Sequence, residues 1–252
     1  MHPLDLDEVS RYVNVNIVDF HQRRLQTLER LRLGKLLAKN PYLFRAKNVT
    51  TAPELISGLL EAFLSSSEEK LFGDFLEDLA VFVAERTCGG HKSSSRGVDL
   101  EFINNDCHYL VSIKSGTNWG NSSQHRRLVQ DLQTAEAVLK QSKRVKSVQP
   151  VLGICYGKTR SSFAHGYLQA VGQNFWYLIS EDKDLYTDII EPVGYRSKEH
   201  NEAFLEQKAA VVDRFTKEFC EQFCDPHGAI DWVKLVESNS GNLDLDKLVG
   251  QS

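Results

Sequence analysis

At 252 residues, 41% hydrophobic and 25% charged, the chain is long enough for one large domain or two small ones, with ample apolar surface for a core. No apolar run reaches the roughly 18 residues of a membrane span, and the start, Met1-His2-Pro3-Leu4-Asp5, carries neither the basic nor the apolar block of a signal peptide. The five cysteines, at 88, 107, 155, 220 and 224, make no C-x-x-C pair. Cys220 and Cys224 stand one helical turn apart and are expected to pack rather than hold zinc. A reduced, cytoplasmic protein without membrane association is the expectation. The net charge of −4 is unevenly spread: residues 20–47 hold eight Lys/Arg and one acid, residues 114–160 nine and two, so each stretch carries +7 and the rest −18. Such stretches on an acidic chain form either a strip that attracts phosphates or solvated helix faces.

A first helix is predicted over 7–39. Asp5 and Glu8 have capping-box spacing, Val9, Val13, Ile17 and Phe20 recur on one face, and Asn40-Pro41 closes it because proline disfavours helix in the residue before it. A second, over 52–64, opens on Thr51 with Pro53 in the first turn. Ser65-Ser66-Ser67 reads as a break, and Ser66 and Glu69 as the capping box of a third helix running through Leu71, Phe75, Leu79 and Phe82 to Arg86, where Gly89-Gly90 ends it. A hairpin follows, then the polar loop Gly116-Thr117-Asn118-Trp119-Gly120-Asn121 and a helix capped by Ser122 or Ser123 that reaches Ser142. Residues 148–156 and 174–179 read as buried strands, 201–224 as a long amphipathic helix, and the tail from Ser238 as polar and loosely held. No internal repeat or low-complexity linker is present. The simplest account is one α+β domain over 1–252, with an N-terminal helical arm (1–64), a core (65–200) and a C-terminal helix and tail (201–252). The order helix, hairpin, helix, strand implies a mixed sheet of about four strands between helices, the hairpin at its centre and a site at a sheet edge or cleft.

The hairpin is the most informative segment: Gly97-Val98-Asp99-Leu100-Glu101-Phe102, a short polar turn, then Tyr109-Leu110-Val111-Ser112-Ile113-Lys114-Ser115-Gly116. Read with period two, it has an apolar face of Val98, Leu100, Phe102, Tyr109, Val111 and Ile113 and a reactive face of Asp99, Glu101, Ser112 and Lys114. With residues 104–107 as the connection, Asp99 faces Ser112, and Lys114 lies on the diagonal about 7–8 Å away. A carboxylate and an ammonium on adjacent strands suit phosphodiester hydrolysis, which needs a nucleophilic water, stabilisation of extra negative charge and help for the leaving oxygen. Mg²⁺ serves all three when carboxylates hold it with positions open to water and phosphate. Asp99 is the natural first ligand and the Ile113 carbonyl a second oxygen; Lys114 orients and acidifies the water and stabilises the transition state. Because Ser112 faces Asp99, a further acid is wanted. Glu101 lies on the same strand face; Glu77, on the preceding helix, is slightly favoured because a helix packed on this hairpin aims an acid into the cleft. The glycine and polar loop after Lys114 leave room for a ligand, and the basic helix beginning Gln124-His125-Arg126-Arg127 offers its N-terminus to a phosphate. His91, His108, His125 and His165 share no metal-site spacing, Trp119 reads as a loop anchor, and Trp176 and Tyr177 read as core and sheet surface.

The arrangement resembles the PD-(D/E)xK nuclease superfamily, whose core is helix, antiparallel strands carrying Asp and (Asp/Glu)-x-Lys, then helix and strand. More narrowly, Phe72-Gly73-Asp74-Phe75-Leu76-Glu77, Val111-Ser112-Ile113-Lys114-Ser115-Gly116 and Gly153-Ile154-Cys155-Tyr156-Gly157-Lys158 look like type II restriction endonucleases, similar to the PmeII-type group and relatives that cut GGNCC-containing sites. The likeness covers residues 40–200. Val98 stands where the signature has proline, and Ser112 where it has Asp or Glu. The resemblance implies a restriction-endonuclease-like α/β/α core, a central mixed sheet flanked by helices, in a single nuclease domain. It also implies Mg²⁺-dependent cleavage of double-stranded DNA at a short sequence, by a homodimer on a palindrome. Base reading then falls to Arg or Lys on guanine and Asn or Gln on adenine, for which Asn118, Asn121, Gln124, Arg126, Arg127, Lys158 and Arg160 are candidates by position. The rival readings are a structure-specific repair or recombination nuclease, and a catalytically silent DNA-binding module that lost its acid at Ser112.

Overall fold

The computed structural model describes residues 2–141, 147–241, 243, 245 and 249. Helix α1 (Leu6–Arg30) opens on the expected cap, Asp5 Oδ1 accepting from the Asp7 and Glu8 amides at 2.9 and 3.2 Å. It stops well short of residue 39, and α2 (Leu33–Leu37) follows after an extended Arg32 (φ −121°, ψ 147°). Leu31 and Leu33 are both buried. Two residues apart on a helix stand roughly 200° apart, so both reach one core only if the backbone opens between them. Asn40-Pro41 starts a helix instead of closing one: the Asn40 side chain accepts from the Tyr42 amide at 3.0 Å, and Pro41 takes the first position of α3 (Pro41–Ala46), where its missing N–H is no loss.

The two helices expected over 52–86 are one, α4 (Ala52–Cys88). Thr51 caps it as foreseen, its Oγ1 accepting from the Glu54 amide at 3.4 Å. The serine triplet does not break it: the Ser66 hydroxyl donates back to the Ala62 carbonyl at 3.3 Å, and an exposed serine costs a helix only about 0.5 kcal/mol. Gly89, at φ +65°, ends the run as expected.

An unforeseen short strand, β1 (His91–Lys92), precedes the hairpin β2 (Leu100–Asn104) and β3 (Cys107–Lys114). The hairpin pairs in the expected register, Leu100 opposite Val111 and Phe102 opposite Tyr109, but its connection is shorter: Asn104 pairs with Cys107. Only Asn105 and Asp106 turn, at φ +50° and +61°, the two left-handed positions of a type I′ turn. Helix α5 (Ser122–Gln141) and strand β4 (Ser147–Ile154) follow; the helix end expected at Ser142 lies outside the described residues. A second hairpin, β5 (Ser162–Ala164) and β6 (Tyr167–Val171), was not foreseen. Residues 174–179, expected as a strand, belong to helix α6 (Gln173–Ser180), where Phe175, Trp176 and Ile179 are buried at helical spacing. Trp176 is core as expected; Tyr177 is exposed on this helix, not on a sheet. The chain closes with α7 (Leu185–Asp188), α8 (Ile190–Val193), α9 (Ser197–Phe223) and α10 (Trp232–Ser238). After α10, Asn239 is held by the Leu37 carbonyl at 2.8 Å; most of the tail beyond residue 241 lies outside the described residues.

The fold is α+β, a mixed sheet flanked by helices, with six strands in the order β1-β2-β3-β4-β6-β5. Strands β3, β4 and β6 run parallel; the others join antiparallel. On one face Leu100, Phe102, Val111, Ile113 and Val151 pack with Val13 and Ile17 of α1, Leu79 and Val83 of α4 and Trp176 of α6. On the other, Leu110, Leu152 and Ile154 pack with Leu128, Leu132 and Ala135 of α5. The hairpin face read as reactive is therefore also covered, with Ser112 only 2% exposed, and its chemistry is confined to the strand ends. Val98 joins this second cluster rather than Leu100, because it precedes β2 and is not bound by the pleat. Gly153 lets α6 close on β4: a Cβ there would stand 2.3 Å from the Phe175 ring.

By packing, the chain forms two compact units, Met1–His21 with Lys70–Ser197 and Gln22–Glu69 with Lys198–Ser252. The first contains the whole sheet. The second is helical, its core built from Leu28, Leu36, Ile56, Leu60, Phe215 and Phe219. Within it Arg24 pairs with Glu68 at 2.8 Å and stacks over Phe204. Cys220 and Cys224 pack at the margin of this core, and burial together with the neighbouring Cys220 pushes the Cys224 thiol up to about 11. Among the described residues, no helix is long and apolar enough to cross a membrane.

Candidate active site

Asp99 enters the sheet just before β2, its amide donating to the Val111 carbonyl at 2.8 Å. That contact carries the side chain across the ladder. Asp99 Oδ2 accepts from the Ile113 amide at 2.6 Å and the Ser112 hydroxyl at 3.3 Å, and lies 3.6 Å from Lys114 Nζ. The Lys114 ammonium also donates to the Ile113 carbonyl at 2.6 Å. One carboxylate oxygen, one carbonyl oxygen and one ammonium thus converge, and Oδ1 of Asp99 carries no hydrogen bond among the described residues. Lys114 ends β3 and Ile154 ends the parallel β4. The group therefore sits at the carboxyl ends of neighbouring parallel strands, where open sheets present their ligand sites.

Glu77 comes from α4. Gly73, one turn earlier on that helix, would place a Cβ 3.5 Å from the Ser115 hydroxyl, so the helix passes the end of β3 at van der Waals distance and carries Glu77 alongside. Burial foremost, then the negative charge of Asp99, raises the Glu77 carboxyl above its ordinary range, while Lys92 and Lys114 pull it down. Lys92 Nζ stands 3.5 Å from both Glu77 and Asp78. Sequence reasoning missed Lys92; a two-residue edge strand leaves no period to read. Behind the site, burial and the Glu77 charge push the Cys155 thiol up to about 12, so it packs and does not act as a nucleophile.

Glu101 is placed differently. It accepts from the Ser93 hydroxyl and, at 3.0 Å, from His108 Nε2, so both carboxylate oxygens are engaged in a nearly buried pair. His108, opposite Ile103 in the ladder, reaches the diagonal Glu101 on the same face, so this candidate for the further acid is engaged within the protein. The acid in electrostatic contact with Asp99 and Lys114 is Glu77. Among the described residues, no three His, Cys, Asp or Glu side chains converge as a closed metal cage.

The residues expected to meet DNA are spread over the loops at this end and the exposed side of α5. Asn118, Lys158 and Arg160 are exposed in loops, and Arg126 and Arg127 on the helix. The cap of α5 is Asn121, not Ser122 or Ser123. Its Oδ1 accepts from the Ser123 and Gln124 amides at 3.1 Å, and Gln124 Oε1 accepts in return from the Asn121 amide at 2.9 Å. Both carboxamide oxygens serve this reciprocal cap. Trp119 is half-buried against His125, ring centroids 4.1 Å apart, and lies 5.9 Å from Lys114 Nζ, which anchors the loop as expected.

A helix-flanked mixed sheet with an acid entering one central strand and a lysine ending the next is the architecture of a restriction-endonuclease-like nuclease. The family model for the type II restriction endonuclease EcoO109I matches residues 7–201, and the chain belongs to that family. No curated protein matches it.

Proposed function

We propose that this chain is a Mg²⁺-dependent type II restriction endonuclease that cleaves double-stranded DNA at a short sequence, working as a homodimer on a palindrome. Its PD-(D/E)xK signature is reduced to Asp99, Ser112 and Lys114, and Glu77 supplies the acid missing at Ser112. The observation that carries this reading is the convergence of Asp99 Oδ2, the Ile113 carbonyl and the Lys114 ammonium beside a second acid whose ionisation Asp99 opposes. Two acids that repel one another, together with a carbonyl oxygen, make an all-oxygen donor set that suits Mg²⁺, an ion that needs few protein ligands and keeps several waters. Asp99, Glu77 and the Ile113 carbonyl would hold the ion; Glu101, tied to His108, contributes at most through solvent. When bound, the ion supplies neutralisation of the phosphate and a more acidic water.

The rest of the chemistry belongs to side chains. The Ser112 hydroxyl and Ile113 amide hold Asp99 Oδ2 fixed, which keeps Oδ1 turned to the ligand position. Lys114 places a positive charge where the attacking water and the phosphoryl oxygens gather, and donates to them as negative charge grows. Asn118, Asn121, Gln124, Arg126, Arg127, Lys158 and Arg160 are read as DNA contacts. Residues 1–252 are read as one nuclease module with 65–200 as its catalytic core.

Digestion of multi-site plasmid DNA tests this. With Mg²⁺ the wild type yields discrete fragments and Lys114→Ala yields none. A ladder, or preference for branched substrates, favours the structure-specific nuclease. DNA binding without cleavage in Mg²⁺ or Mn²⁺ overturns the enzyme reading.

A further inference from the structure

Loop 93–98, which delivers Asp99 to the sheet, is pinned along its length. The Ser93 hydroxyl donates to Glu101 and accepts from the Ser95 amide at 2.9 Å, and the Ser93 amide donates to the Asp99 carbonyl at 3.2 Å. The Val98 amide closes on the Ser95 carbonyl at 3.2 Å. Gly97, at φ +73°, lies flat on α5, where a Cβ would come within 2.7 Å of Asp131. So fixed, the loop holds Arg96 over the helix. Asp131, with only 18% of its side chain exposed, lies 3.9 Å from Arg96 Nε and 3.8 Å from Arg127 Nε. Together with Arg126, these residues line a groove of about 760 Å³ along α5. The Asp131 carboxylate lies within ion-pair distance of two guanidiniums whose side chains stay largely exposed, and the groove keeps three arginines for one acid.

We infer that this groove is a clamp for the sugar-phosphate backbone of the DNA substrate, away from the bond to be cut, and that it sets the strand's register on the site. The inference rests on the nuclease reading for the identity of the ligand. Guanidiniums pair with phosphate oxygens in fixed, two-pronged geometry. The loop that carries Arg96 reaches Asp99 three residues later, so a strand seated on Arg96 and Arg127 is placed relative to Asp99 and Lys114 by a short, rigid connection. Asp131 is the positioning residue; Arg96 and Arg127 make the contacts.

The test is fluorescence anisotropy of labelled duplexes, cognate and random, in Ca²⁺ over a KCl series, with circular dichroism confirming the fold of each variant. Arg96→Ala and Arg127→Ala each lower the slope of log affinity against log salt by about one, equally on both duplexes, as the loss of one phosphate contact requires. Asp131→Asn removes a negative charge and should tighten binding if charge alone matters; the clamp demands weaker binding. Folded arginine variants with unchanged slopes overturn the clamp, and so does tighter binding by Asp131→Asn. If these arginine variants lose self-association in sedimentation velocity while their salt slopes stay unchanged, the groove is a seat for a second copy of the chain and the clamp is again overturned. Lys114→Ala beside the wild type separates the two readings: a wild type that cuts in Mg²⁺ and a variant that binds both duplexes but does not cut leave the nuclease reading standing whatever the arginine variants do.

Discussion

Asp99, just before β2, and Glu101, within it, lie two residues apart in the chain, yet they meet opposite surroundings. Asp99 spends one oxygen, Oδ2, on the Ile113 amide, the Ser112 hydroxyl and the nearby Lys114 ammonium, and keeps Oδ1 open. Glu101 has both oxygens occupied by Ser93 and His108 and is 8% exposed. Strand alternation fixes which face an acid points to, but neighbours across the ladder decide whether it can take a ligand. A backbone amide and a hydroxyl orient a carboxylate and leave it capacity; an imidazole and a hydroxyl, one on each oxygen, close it.

The largest effects should fall on the open end. Asp99→Asn and Lys114→Ala are expected to lower the cleavage rate by at least about 10³-fold, measured in single-turnover digestion, whereas Glu101→Gln should stay within about tenfold of wild type. Equal losses at Asp99 and Glu101 would erase the contrast. Next comes the gap at Ser112. Glu77→Gln should weaken Mn²⁺ binding by about 10²-fold, read by electron paramagnetic resonance, and Ser112→Glu should restore part of it in the Glu77→Gln background. If Ser112→Glu rescues nothing, Glu77 is not the substitute for the missing acid. At the closed end, His108→Ala leaves Glu101 half-paired in a nearly buried place, which costs about 2 kcal/mol and should lower Tm by roughly 4–8 °C with little change in single-turnover cleavage.

Much of this contrast is legible in the sequence. The hairpin register, the facing of Asp99 on Ser112 and the reach of Lys114 follow from period-two alternation and a short polar turn. The fate of Glu101 was not legible, because a period assigns a face and says nothing about the partner a histidine on the next strand provides. The same limit explains α6: Phe-Trp-Tyr-Leu-Ile is strand-like in composition, and only the burial of Phe175, Trp176 and Ile179 together reveals helical spacing. It explains α4 as well, where Ser66 and Glu69 match a capping box but the helix, free of Gly and Pro there, runs on. Leu31-Arg32-Leu33 did carry its signal, since two leucines two apart cannot share one helical face. Arg96 and Lys92 left no signal, being single cations in a loop and on a two-residue strand.

The smallest expected effect is the most diagnostic, because its sign changes with the ligand. Burial and the charge of Asp99 raise the Glu77 carboxyl in the folded chain, so folding favours its protonated form. Stability from this group is full below the ordinary carboxylate range of the unfolded chain, about 4.3, and is lost as pH rises through the higher folded value. At neutral pH the ionised Glu77 therefore strains the metal-free protein. Glu77→Gln should raise Tm by roughly 1–3 °C at pH 7.5, an advantage that shrinks as the pH falls toward 4. An ion that binds only the folded state stabilises it in proportion to its affinity. Saturating Mg²⁺ should therefore lift the wild type past Glu77→Gln and invert the order. At Glu101, whose partners are protein groups, no such inversion is expected, and one at Glu101→Gln would mean that this acid also meets the ion.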